Sequence, residues 1–249
     1  EQRDAYLLLF ETKAFLFVSP LYATEAKQVQ LKNSFLQHHF PLVQSLTIAI
    51  LTSDNRIIKQ LQTICEKENI KNLSFESDNL TVSEYTSFKE ALPSLTLTPT
   101  QNVIEKLRMK KFPSEIASIR QAATLTDDCF TFIQTKIKRG VTESELAWEI
   151  ETFFRKKGAQ LAFSPIIAFG KNSSMPHYNS LSQRSTKNQG SALKSDDIIL
   201  LDFGARVDGY CADMTRMIFV GKPKSKWLRA YNAVLEAQVK SNEVYIRYS

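Results

Sequence analysis

Ile198-Ile199-Leu200-Leu201-Asp202-Phe203-Gly204-Ala205-Arg206-Val207-Asp208-Gly209-Tyr210-Cys211-Ala212-Asp213-Met214-Thr215-Arg216 reads as two strands around a tight turn. Asp208-Gly209 is a strong two-residue hairpin signal, because a type I′ turn needs φ > 0 at both central positions. With those residues as the loop, Gly204 falls opposite Asp213 and Asp202 falls opposite Thr215. Side chains alternate faces along a strand, so Asp202 and Asp213 share one face as diagonal neighbours. Diagonal Cβ atoms lie about 7–8 Å apart, and paired metal ions lie about 3.5–4 Å apart. Both carboxylates can therefore reach one metal pair, with Gly204 expected to leave open volume beside Asp213. Asp208 reads as a turn former. A lone Asp202 after four large aliphatics would be costly to bury unless it is paired or metal-bound.

A second passage carries a candidate histidine: Phe163-Ser164-Pro165-Ile166-Ile167-Ala168-Phe169-Gly170-Lys171-Asn172-Ser173-Ser174-Met175-Pro176-His177-Tyr178. It reads as a strand, a Gly-x-Asn turn and a polar loop. His177, after Pro176, is expected in extended backbone and outside the core. Neutral imidazole beside a metal centre can hydrogen-bond a substrate or a developing oxyanion, and it exchanges protons near neutral pH.

The string Asp202-Phe203-Gly204-Ala205, then Gly209-Tyr210-Cys211-Ala212-Asp213-Met214-Thr215-Arg216, resembles the metal-binding signature of the pita-bread metallopeptidases. That family includes aminopeptidase P, Xaa-Pro dipeptidase and methionine aminopeptidase, and the spacing of the two aspartates matches its pattern. The His177 passage resembles the family's active-site loop. The connection from His177 to Asp202, with the polar stretch Ser180 to Lys194, is longer than usual for the family and reads as an inserted surface loop.

The rest of the chain fits two domains. Its 249 residues, 43% hydrophobic and 23% charged, can bury a sizeable core. Residues 1–100 read as a small α/β domain. Tyr6–Phe10 and Ala14–Val18 suggest a hairpin, Leu46–Leu51 and Asn72–Glu76 suggest strands, and Ile57–Asn69 and Thr81–Ala91 suggest helices. Pro93–Thr100 reads as irregular chain, with a boundary near Gln101. Beyond it, Val103 to Ile116 leads into a long helix that ends around Lys138-Arg139-Gly140. A second helix has Thr142 as N-cap, Glu145 at N3 and Gly158 as its stop, and a further helix spans Leu228–Lys240.

The expected architecture is thus an α/β N-terminal domain, 1–100, followed by an α+β pita-bread catalytic domain of the creatinase/aminopeptidase type, 101–249. The N-terminal domain resembles that of aminopeptidase P and prolidase, and the later part, from Arg108 through Gln238, resembles the first half of the family's catalytic domain.

Composition narrows the alternatives. Thirty-two Lys and Arg against 26 Asp and Glu leave a net charge of +6, but the cations are interleaved with acids. The densest cluster, Lys106 to Lys111, reads as a solvated helix face, so nucleic acid is not expected as a partner. Cys65, Cys129 and Cys211 form an odd set without CxxC spacing, which fits a reducing, cytoplasmic compartment. No run reaches the roughly 18 apolar residues of a membrane span.

The resemblance implies a metal-dependent aminopeptidase or dipeptidase that hydrolyses the first bond of a peptide with proline second. In that reading Asp202 and Asp213 are metal ligands and His177 is catalytic, stabilising the tetrahedral intermediate. Two divalent cations, Mn²⁺ best and Co²⁺ or Zn²⁺ as alternatives, would activate the attacking hydroxide. A homodimer is compatible with it. The family's full ligand set is Asp, Asp, His, Glu and Glu. After Lys240 the chain shows no motif for the last three, and it begins at Glu1 without an initiator Met. The expectation is a chain lacking the second half of the catalytic domain, either as a fragment or as joined segments, and unable alone to bind two metals tightly or turn over substrate. His38 and His39 sit in the N-terminal domain and do not substitute. The competing reading is a metal-free pita-bread module that binds peptide or histone, which has no physical need for a paired carboxylate face.

Overall fold

A computed structural model describes residues 5–31, 44–53, 56–178 and 191–248, with side chains excepted at 29–31 and 244–248. His38, His39 and most of the expected inserted loop lie outside the described residues. The chain divides into two compact units, Glu1–Met109 and Lys110–Ser249, so the helix Val103–Met109 goes with the first unit and the division lies beyond Gln101.

In the first unit, β1 (Ala5–Leu9) and β2 (Lys13–Val18) form the expected antiparallel hairpin, and β3 (Ser45–Ile50) pairs parallel with β2. A first helix, α1, spans Ala23–Leu31. The next, α2 (Ile57–Lys67), places Leu61 and Ile64 against Leu8 and Phe17. β4 (Asn72–Glu76) leads to α3 (Val82–Ala91), whose start is fixed by reciprocal hydrogen bonds between Thr81 and Glu84.

Thr96–Thr100, expected to be irregular, is strand β5, parallel to β4. Among the described residues it pairs with β4 alone, and an edge strand accommodates Pro99 because one side of its ladder needs no donor. Parallel pairing with a segment more than twenty residues away leaves no local trace in the sequence. The short helix Val103–Met109, α4, ends this unit.

The second unit opens with α5 (Pro113–Gln134) and α6 (Glu143–Lys156). The stretch expected to lead into a long helix holds α4 and then, from Pro113, the long helix α5 itself. Pro113 takes the first helical turn of α5, and Phe112 before it is extended, as a residue preceding proline must be. α5 stops at Gln134, short of Lys138, where the Thr135 hydroxyl donates to the Phe132 carbonyl and competes with the helical ladder. Gly140, at φ 87°, makes the reversal into α6. Thr142 and Glu145 form the expected capping box.

Among the described residues the unit has six strands: β6 (Gln160–Leu161), β7 (Ile166–Phe169), β8 (Ile198–Phe203), β9 (Ala205–Val207), β10 (Tyr210–Cys211) and β11 (Met214–Phe219). They form two small sheets, ordered β11-β8-β7 and β10-β9-β6. The central hairpin has the expected register, with Cys211 opposite Arg206 and Thr215 opposite Asp202. Asp208 and Gly209, at φ 48° and 87°, make its turn. Each arm passes from one sheet to the other, at Gly204 and at Ala212-Asp213, without gaining or losing a residue. The last helix, α7, runs Ser225–Tyr248, longer than the Leu228–Lys240 expected.

The core forms where alternate residues of β8, Ile199, Leu201 and Phe203, pack against Ala122, Cys129 and Ile133 of α5 and Leu146, Ile150 and Phe154 of α6. Burial pushes the Cys129 thiol up to about 12, which leaves it an inert packing group.

Thr126 is buried in the same α5 stripe. Its Oγ1 donates to the Ala122 carbonyl (2.8 Å) and accepts the Ala205 N–H (3.0 Å), so it satisfies a strand amide beside the sheet crossing. Thr126→Val keeps the shape and strands that amide, and we expect a loss of about 1–3 kcal/mol in urea unfolding. A variant as stable as the parent would show that Ala205 finds another acceptor.

Candidate metal centre

The strand alternation that buries Ile199, Leu201 and Phe203 turns Asp202 to the opposite face, where it is half-buried. The Thr215 hydroxyl, directly across the ladder, donates to Asp202 Oδ1 at 3.3 Å. Partial burial raises the Asp202 pKa first, and the Asp213 charge raises it further. The Thr215 hydrogen bond lowers it, a hydrogen bond with the Asp213 side chain raises it, and the nearby His177 charge lowers it. Both the Asp213 carboxylate and the His177 imidazole thus act on Asp202. Asp202 lies on the hairpin face expected for it, and Asp213 and His177 reach it electrostatically.

The sign of this perturbation bears on metal fit. Burial and a second carboxylate both disfavour ionised Asp202, and a cation between the two oxygens would reverse that penalty. Two carboxylates on one face therefore suit a hard divalent cation. Among the described residues no group of three or more His, Cys, Asp and Glu side chains is arranged around a common point, so this pair would need further donors to complete a metal site.

Two local expectations are corrected. Gly204 does not leave open volume: a Cβ built there would stand 1.8 Å from the Ala212 carbonyl oxygen, so glycine permits a close backbone crossing. His177 is not in extended backbone. Met175, before Pro176, is the extended residue, whereas Pro176 and His177 occupy the centre of a turn closed by Tyr178 N–H donating to the Met175 carbonyl (3.2 Å). His177 is exposed, and Cys211 is also exposed, opposite Arg206.

Sequence reasoning passed over Glu143. It is fully buried, and it accepts hydrogen bonds from Phe169 N–H (2.7 Å), Asn172 Nδ2 (2.9 Å), the Tyr178 hydroxyl (2.7 Å) and Ser191 N–H (3.0 Å). Burial first, then the hydrogen bond and charge of Glu143, push the Tyr178 hydroxyl up to about 12, so Tyr178 stays a donor. A signal was present: Glu143 falls in the apolar stripe of α6 with Leu146, Ala147, Ile150 and Phe154. An acid in that stripe needs buried donors.

Residues 117–244 match the model of metallopeptidase family M24, and residues 1–110 match the creatinase/prolidase N-terminal domain. The chain belongs to metallopeptidase family M24. This M24 chain is 34% identical over 224 residues to the uncharacterized peptidase YqhT of Bacillus subtilis, covering 89% of itself and 57% of that relative. Its structure is similar to an Xaa-Pro dipeptidase from Bacillus anthracis (TM-score 0.74, 32% identity, 96% of this chain and 61% of that one). It is also similar to an X-Pro aminopeptidase from Thermotoga maritima (TM-score 0.71, 26% identity, 94% and 60%). The M24 chain thus spans less than two thirds of these relatives. Its fold is the creatinase-type N-terminal domain followed by pita-bread structure. No helix among the described residues is long and apolar enough to cross a membrane.

Proposed function

We propose that this M24 chain serves the hydrolysis of the first bond of peptides with proline in second position. Asp202 and Asp213 would hold two divalent cations, and His177 would engage the substrate as the catalytic histidine. The observation that supports the reading is the pair of aspartates on one hairpin face, with the Asp213 and His177 charges both acting on Asp202. The names of the similar Xaa-Pro dipeptidase and X-Pro aminopeptidase support the substrate class.

Bound divalent ions supply Lewis acidity to water and to the scissile carbonyl. Mn²⁺ suits the oxygen donors best, with Co²⁺ or Zn²⁺ as substitutes. The residues here would do the rest. The Thr215 hydroxyl occupies one lone pair of Asp202 Oδ1 and fixes the carboxylate plane. His177, exposed on its turn, can donate to the peptide carbonyl as negative charge develops. Three unpaired cysteines support a reducing compartment, the cytoplasm.

The test is Mn²⁺-dependent release of the first residue from an X-Pro-Y peptide by the full-length protein and by Asp213→Asn. We expect the substitution to lower kcat/KM by about 100-fold or more, because loss of a metal-ligand charge removes transition-state stabilisation. Equal rates would overturn the assignment and favour a metal-free binding role.

A further inference from the structure

Glu143 lies at the start of α6, outside the carboxylate face, yet three of its four donors come from the segment that carries His177, the fourth being Ser191 N–H. Phe169 ends β7, Asn172 lies in the 3₁₀ turn Gly170–Ser174, and Tyr178 directly follows His177. The two oxygens of a carboxylate offer about four lone-pair sites, and here four donors fill them. The network closes on itself: Asn172 Nδ2 also lies 3.0 Å from the Tyr178 hydroxyl oxygen and 3.2 Å from Ser191 Oγ. Asn172 in turn accepts Met175 N–H through its carbonyl at 3.1 Å.

His177 is therefore held from both sides. On one side Pro176 fixes φ, and Met175 is tied to Asn172. On the other, the Tyr178 backbone closes the turn while its hydroxyl is gripped by Glu143. An exposed imidazole on a short loop would otherwise sample many positions, and a displacement of about 1 Å at a reacting group can cost on the order of 100-fold in rate.

We infer that Glu143 is a positioning residue for the peptidase reaction, setting the place of His177 through Tyr178 and Asn172. The inference rests on the proposed role of His177. A purely structural anchor would stabilise the loop whatever residue stood at 177, whereas a positioning residue matters only while the imidazole is there to be placed.

The test is a double-substitution cycle in the full-length, Mn²⁺-loaded protein acting on an X-Pro-Y peptide. Glu143→Gln keeps the size but turns one acceptor into a donor, and Tyr178→Phe removes only the hydroxyl. We expect each to lower kcat about tenfold with KM within about twofold, and His177→Ala to lower kcat about 100-fold. Placed in the His177→Ala background, neither should reduce the rate further. Should Glu143→Gln fail to fold, judged by its melting curve, Tyr178→Phe carries the cycle. Full additivity with an impaired His177→Ala, or no loss in either variant, overturns the inference and leaves the His177 assignment standing. A His177→Ala protein with the parent rate overturns that assignment and the inference with it.

Discussion

Replacing Gly204 by alanine is expected to cost the second unit about 3 kcal/mol or more, the upper end for overpacking. The added Cβ would stand 1.8 Å from the Ala212 oxygen, 2.7 Å from the Ala212 carbonyl carbon and 3.3 Å from Asp213 Cα, against ordinary carbon contacts of about 3.5–4 Å. None of these atoms belongs to a side chain that could rotate away. The facing strand is itself tied down, by Ala212 N–H donating to the Ala205 carbonyl at 2.9 Å and by buried Met214 opposite Phe203. Relief therefore requires the two arms to separate where they pass between sheets, which also moves Asp213 away from Asp202. Urea unfolding of the 249-residue chain with and without the substitution measures the cost. A difference below about 1 kcal/mol at unchanged m-value would show that the crossing is loose.

Phe203→Ala is the second large effect, at about 3–5 kcal/mol. The ring is fully buried, tilted against Phe154 at 6.3 Å between centroids, and surrounded by residues from α5, α6 and the neighbouring strands. Two rigid helices bound the space, so the cavity cannot collapse, and the spread of measured costs depends on that ability. In a unit of this size we expect the melting temperature to fall by about 10 °C or more. Phe203→Leu, which keeps most of the volume, should lose less than half as much. Equal losses for the two variants would mean that ring shape matters more than volume. Because Phe203 points away from Asp202 along the alternating strand, the carboxylate face should feel this change only through lowered stability.

Why some of this was legible follows from the range of each signal. The hairpin was, because Asp208-Gly209 fixes its turn within two residues, and two-residue alternation then assigns a face to every other position. Asp202, Asp213 and the register of Cys211 against Arg206 all follow from that one local feature. The Thr142 cap was equally local. β5 was not legible, since nothing within Pro93–Thr100 announces its parallel partner Asn72–Glu76. The turn at His177 was misread because proline's constraint was assigned to the residue after it, when the restricted neighbour is Met175. Glu143 and Thr126 were passed over because nothing in their own side chains marks them as buried. Their helical phase, in line with Leu146 and Ile150 or with Cys129 and Ile133, said otherwise. What distinguishes such positions is a set of donors and acceptors contributed from elsewhere in the chain, which no local window contains.

The hairpin keeps the same register count from Val207 opposite Tyr210 to Ile198 opposite Phe219, across the passage between its two sheets. That continuity limits how its length can change. One residue gained or lost within either arm rotates everything beyond it to the other face and would send one aspartate into the helix-packed core. Two residues inserted at the tip, one on each side of Asp208-Gly209, only lengthen the β9–β10 end and leave both charges on one face. The tip is thus where this chain can grow without parting its aspartates, whereas a one-residue deletion in an arm should separate them.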